Sequence, residues 1–124
     1  MGNVRVMEST YKEVLARTYF LTPEEGGGRS SNVVVRAHPP YDEYRPLADL
    51  GLGYNEDGLQ MYCEARVRRL DGPGVIEQGM EHTLRIRVEC SKDVLERVLK
   101  PGTTFDLTEG RRIVAKATVL TVLE

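Results

Sequence analysis

The sequence predicts an all-β protein, a six-stranded antiparallel barrel that carries one short helix. Three observations lead there. Several stretches alternate apolar and polar residues with the period of two that side chains follow along a strand. Gly, Pro, Asn and Asp break these stretches at short intervals, as turns do. Only Ser91 to Lys100 switches to a helical period. The same alternation would also fit an open sandwich, so closure of the barrel is an expectation from strand number and spacing.

Residues 1–13 are polar and mixed, with Val4, Val6 and Met7 suited to a short lead strand. From Val14 to Leu21, Val14, Ala16, Thr18 and Phe20 alternate with Leu15, Arg17, Tyr19 and Leu21, and the β-branched and aromatic content favours a strand. Thr22 to Asn32 is a loop, where Pro23 stops the ladder and Gly26, Gly27 and Gly28 open unusual backbone angles. Val33 to Ala37 forms a second strand, closed by Pro39-Pro40. Residues 39–58 lack any period and read as an irregular loop or insertion, with a short turn of helix at Pro46 to Leu50. Leu59 to Leu70 is the cleanest strand. It places Leu59, Met61, Cys63, Ala65 and Val67 inward, and Gln60, Tyr62, Glu64, Arg66 and Arg68 outward. After the turn Asp71-Gly72-Pro73-Gly74 and a connector from Val75 to Glu81, Thr83 to Cys90 alternates again with Leu84, Ile86, Val88 and Cys90 inward. In the helix, Val94, Leu95, Val98 and Leu99 share one face, Ser91 is the N-cap and Pro101-Gly102 the stop. A final hairpin turns at Glu109-Gly110-Arg111-Arg112. Ile113, Ala115, Ala117 and Val119 lie on one face, with Val114, Lys116, Thr118 and Leu120 on the other; Thr108 reads as exposed.

The 124 residues suit one domain over 1–124. With 40% hydrophobic and 29% charged residues the composition is that of a globular domain. The formal net charge of -2 shows no global basic excess. RNA binding would need a local patch, and DNA is not expected as a partner. No apolar run approaches the roughly 18 residues of a membrane span. Met1-Gly2-Asn3-Val4-Arg5-Val6 lacks the apolar core of a signal peptide, and Val6 fails a myristoylation signal. The expectation is a cytoplasmic protein with no membrane partner. Cys63 and Cys90 fall on inward strand faces and read as small buried thiols, since disulfides are rare in the cytosol.

No catalytic constellation is visible. There is no phosphate-binding Gly-x-x-x-x-Gly-Lys-Ser/Thr loop. Gly51-x-Gly53 lies outside any strand-to-helix turn. His38, His82 and two scattered cysteines give no zinc spacing. The paired carboxylates Glu24-Glu25, Asp42-Glu43 and Glu56-Asp57 sit in loops, as solvated surface residues do. The expectation is a protein that is not an enzyme, with no cofactor and no metal.

Three stretches, in order, carry a family resemblance: Ala16-x-x-Tyr19-x-Leu21-Thr22-x-Glu24-Glu25-Gly26-Gly27, then Tyr44-Arg45-Pro46, then Phe105-x-Leu107-x-Glu109-Gly110-x-Arg112-x-Val114-x-x-x-Thr118-Val119. Residues 14–124 thereby resemble the C-terminal β-barrel (third) domain of bacterial elongation factor Tu. The resemblance implies a six-stranded antiparallel barrel. It also implies the contacts that domain makes within the full factor: with its neighbouring domains, with the T-stem backbone of aminoacyl-tRNA and with the exchange factor. The GTPase domain and second barrel have no counterpart here, so GTP hydrolysis is not implied. Thr108 stands where the family has an Arg that touches tRNA, Arg111 where it has a Gly, and Ala115-Lys116-Ala117 where it has Gly-x-Gly.

The candidate partner or RNA-backbone contacts are Arg29, Arg45, Gly110, Arg111, Arg112 and Lys116, a basic patch if the loops converge and otherwise solvated surface. Tyr41, Tyr44 and Tyr54 form a candidate protein-recognition loop or, equally, anchors that pin the segment to the barrel. Arg66, Arg68, Arg85 and Arg87 form a second outward group, to be neutralised by Glu64 and Glu89 or by a partner. The expected function is a non-enzymatic binding module that engages a protein, or tRNA or another RNA, of the translation machinery. The alternative is a protein-interaction or self-assembly barrel with no role in translation.

Overall fold

The structure, a computed structural model, describes residues 10–123. Eight strands and one helix follow in order: β1 (Thr10–Phe20), β2 (Val33–Val35), β3 (Leu47–Asp49), β4 (Cys63–Arg69), β5 (Gly74–Ile76), β6 (Glu81–Cys90), α1 (Lys92–Val98), β7 (Thr104–Glu109) and β8 (Arg112–Val122). Six of the strands close an antiparallel barrel in the order β1-β6-β4-β3-β7-β8, and β2 and β5 pair in a small separate sheet. The expected closed six-stranded barrel with one short helix is therefore present.

Closure rests on β1. It pairs with β6 along one edge, from Thr10↔Cys90 to Tyr19↔Glu81, and with β8 along the other, from Val14↔Val122 to Phe20↔Ala115. Its inward residues Val14, Ala16, Thr18 and Phe20 meet Ala65, Val67, Ile86, Val88, Leu107 and Val119 in one buried core. The Thr18 hydroxyl is satisfied by the Ala16 carbonyl oxygen at 3.2 Å. α1 packs against β1 and β6. Leu95 and, just past its end, Leu99 are fully buried, while Val94 and Val98 pack at the margin. The Ser91 hydroxyl caps it by accepting from the Val94 amide.

Several expectations change. The segment 39–58 is not wholly irregular. Leu47–Asp49 is a barrel strand in place of the expected helical turn, and it joins β4 to β7 through Ala48↔Cys63 and Ala48↔Leu107. Three residues are too few to display a period, which hid the strand. Val33–Val35 is not a barrel strand; it pairs with Gly74–Ile76, which read as connector and turn. Leu59 and Met61 are exposed and precede β4, which begins at Cys63. The lead segment 1–13 contributes Thr10–Glu13 to β1, and the rest lies outside the described residues. Cys63 and Cys90 are not free thiols. They form a disulfide across neighbouring strands, with Cα atoms 5.3 Å apart. The β4–β6 register explains it, because Glu64↔Glu89 sets the two cysteines face to face on the inward side.

The last hairpin departs from simple alternation. A register shift after Leu107 pairs Thr108 with Ile113 and leaves Val114 as the extra residue. Val114 and Ala115 are consequently both buried, and Ile113 turns outward. The same bulge draws Thr108, expected to be exposed, inside, where its hydroxyl has no hydrogen-bond partner among the described residues.

An unpaired buried hydroxyl is a liability that an isosteric methyl removes. Thr108→Val is therefore expected to raise unfolding stability by about 1 kcal/mol in urea titration, with an unchanged denaturant slope.

Candidate functional site

The Gly-rich loop after β1 folds back onto the β7–β8 hairpin. Thr22 caps a single 3₁₀ turn, Pro23–Glu25, in a reciprocal capping box with Glu25. The Glu25 carboxylate accepts from the Thr22 backbone amide and from the Tyr19 hydroxyl, which together hold its pKa below the usual range. Hydrogen bonding to that carboxylate, with a smaller effect of burial, raises the pKa of Tyr19. The Gly28 amide donates to the Ile113 carbonyl at 3.0 Å. A Cβ on Gly28 would stand 2.6 Å from Arg112 Cβ, so only glycine allows this approach.

That approach brings Arg29 to Glu109. Their side chains bond at 2.6 Å, and the same carboxylate accepts from the Tyr44 hydroxyl. The Arg29 guanidinium lies 5.4 Å from the centre of the Tyr44 ring, and Tyr44 packs against Phe20 at 6.0 Å. Burial, the Glu109 hydrogen bond and the Glu109 charge push the phenol of Tyr44 well above its ordinary value, against the opposing pull of Arg29. Burial lowers the pKa of Arg29, but the Glu109 hydrogen bond and charge outweigh it, and the net shift is upward. Tyr44 also exchanges backbone hydrogen bonds with Val67. Arg29 and Tyr44 are thus committed to tying two loops to the hairpin.

Arg45 does not join them. It pairs with Glu43 at 2.9 Å and borders Arg66 and Glu64 instead. Arg112 lies beneath Gly28. Lys116 is exposed along the barrel wall, in register with Tyr19 and Asp106. Arg111, Arg112 and Lys116 have no ion pair among the described residues. The five cations of the candidate set are therefore not brought together as one patch, since Glu109 of β7 and Glu43 pair with Arg29 and Arg45.

The three tyrosines separate too. Tyr41 is exposed in a turn, with its backbone bonded to Arg36 and His38. Tyr54 is 70% exposed and begins a tight hairpin loop. The Asn55 side-chain oxygen holds that loop by accepting from the Asp57 and Leu59 amides, and Tyr54 bridges Gln60. Gln60 donates to Asp49 at 2.8 Å, and the Tyr62 hydroxyl donates to Gln60 at 3.0 Å. Between this loop and the β7–β8 turn runs an open cleft of about 570 Å³, lined by Tyr54, Gly58, Leu59, Gln60, Tyr62 and Arg111. Gly110, at φ +62°, makes the turn that presents Arg111. Leu59, Gln60 and Tyr62 were not anticipated as site residues. Their alternation reads as a barrel strand, and only the exposure of Leu59 and Met61 shows otherwise.

Comparison with protein-family models and with curated proteins finds no match for this chain. Among the described residues, no group of three or more His, Cys, Asp or Glu is placed to hold a metal ion. No described helix is long and apolar enough to cross a membrane.

Tyr44→Phe keeps the packing on Phe20 and removes the hydrogen bond to Glu109, so a loss of about 1–2 kcal/mol is expected on chemical denaturation. The raised pKa of Tyr44 fixes the pH dependence. Its stabilising contribution is complete below the ordinary tyrosine value of about 10 and is lost as pH rises toward the folded value. Stability measured from pH 8 to 11 should fall less steeply in Tyr44→Phe than in the parent.

Proposed function

We propose that the chain is a non-enzymatic binding module, similar in role to the third domain of elongation factor Tu, that docks a protein of the translation machinery at the Tyr54–Arg111 cleft. The translation partner follows from the sequence resemblance of residues 14–124, and one observation carries the docking surface. A largely exposed tyrosine, an exposed leucine and an arginine with no ion pair among the described residues line the same concave surface. Tyr and Arg are the side chains most enriched at the energetic centres of protein interfaces, and a concave setting is where they exclude water. The loop itself is held by internal hydrogen bonds, so little order has to be gained on binding.

The charges favour protein over RNA. Arg29 and Arg45 are neutralised by carboxylates, and Asp49, Glu56 and Asp57 stand in or beside the loop that walls the cleft. A polyanionic backbone laid there would meet repulsion. A translation role implies the cytosol, where the Cys63–Cys90 disulfide would be unusual, and that is the observation against it.

Titration calorimetry of the purified chain with the elongation factor exchange protein, and separately with aminoacyl-tRNA, tests the proposal. Binding of the protein probe that weakens about 30-fold in Tyr54→Ala and in Arg111→Glu, with unchanged circular dichroism, is the expected result. Salt-dependent tRNA binding lost in the Arg111→Glu, Arg112→Glu double variant would move the assignment to RNA. Binding of neither probe, with concentration-dependent self-association on size exclusion, would replace it with the self-assembly barrel.

A further inference from the structure

A second site lies on the barrel wall, away from the Tyr54–Arg111 cleft. In the β4–β6 register, Arg66 stands opposite Arg87 and Arg68 opposite Arg85. Two like-charged pairs side by side are unfavourable on a sheet face unless something neutralises them. The turn before β3 supplies part of that. The Glu43 side chain, only 5% exposed, lies 2.9 Å from Arg45, 3.2 Å from Arg68 and 3.7 Å from Arg66. Glu89 lies 3.5 Å from Arg66 and 3.4 Å from Arg87, and Asp42 lies 3.8 Å from Arg68.

The neutralisation is incomplete in a defined direction. Arg85 has no ion pair among the described residues. Arg87 Nε is buried and faces Glu89 Oε1 at 3.4 Å without making a hydrogen bond. The Arg87 guanidinium is held in place by the Tyr11 ring, 3.5 Å from its centroid. Between these groups is a small cleft of about 50 Å³, where the guanidiniums of Arg66, Arg68, Arg85 and Arg87 outnumber the carboxylates of Glu13 and Glu43.

We propose that this cleft binds a small tetrahedral oxyanion of the phosphate class, held by Arg68, Arg85 and Arg87, with Glu43 as a built-in counter-charge that limits affinity. Guanidinium donors match oxyanion geometry through paired parallel N–H groups, and a preformed cluster with unused donors needs no rearrangement to accept one. The size of the cleft selects a small ion. A long polyanion laid across it would meet Asp42, Glu64 and Glu89 at the margins.

The test is a titration of isotope-labelled full chain with inorganic phosphate, followed by amide NMR at constant ionic strength against sodium chloride. Saturable shifts confined to β4, β6 and the Asp42–Arg45 turn are expected. Arg85 is exposed, so Arg85→Gln should fold normally and weaken phosphate binding about tenfold. Glu43→Gln should tighten it, and Lys100→Gln at the end of α1 should leave it unchanged. Shifts that do not saturate, that chloride reproduces, or that persist equally in Arg85→Gln would overturn the assignment.

Discussion

The pairing of β1 with both β6 and β8 is the constraint on which the rest of the molecule depends. An open six-stranded sheet would leave two edges with unpaired amides and carbonyls, and each is a template for further pairing. Joining the first strand to the last removes both edges. It also encloses the inward residues of every barrel strand in one core, which a sheet of this size needs in order to offset the entropy of ordering the chain. Once the barrel is shut, Leu95 of α1 and Leu99 just after it have a margin to pack against. The Gly26–Arg29 loop then has a fixed hairpin to lean on.

Two carboxylates organise the surface that closure creates. Glu109 joins Arg29 and Tyr44 across sequence separations of 80 and 65 residues. Glu43 gathers Arg45, Arg66 and Arg68. Each draws arginines into the architecture, Arg29 and Arg45 of the candidate contact set among them. Among the described residues Arg111 and Arg85 keep no ion pair, as do Arg112 and Lys116; Arg111 lines the Tyr54 cleft and Arg85 the small cleft on the β4–β6 wall. The residual reactivity of this surface follows from which cations the carboxylates leave over. A count of basic residues would not reveal it.

The closing hairpin combines a buried framework with an exposed tip. Its framework residues Phe105, Leu107, Val114 and Val119 are all buried, as a barrel strand pair requires. The bulge after Leu107 takes Thr108 inside, so this position has no surface role. Arg111, at the tip, lines the Tyr54 cleft. A residue's apparent contribution at the tip therefore depends on a one-residue slip in register, which inverts the faces of everything on one side of it.

The sequence by itself determined the fold class, the strands β1, β4, β6, β7 and β8 to within a few residues, the helix with its Ser91 cap, and the inward sets from Val14 to Phe20 and from Leu84 to Val88. A period of two sustained over six or more residues records which face meets the core, and that information is local. The tertiary structure decided the rest. β3 is three residues long and exists because β4 and β7 leave a gap that its backbone fills. The Cys63–Cys90 disulfide depends on the register of two strands, which neither strand encodes alone. The division of Arg29, Arg45 and Arg111 into neutralised and available cations depends on where distant carboxylates come to rest. Pairing across the barrel is set by closure and register, and those are properties of the whole chain.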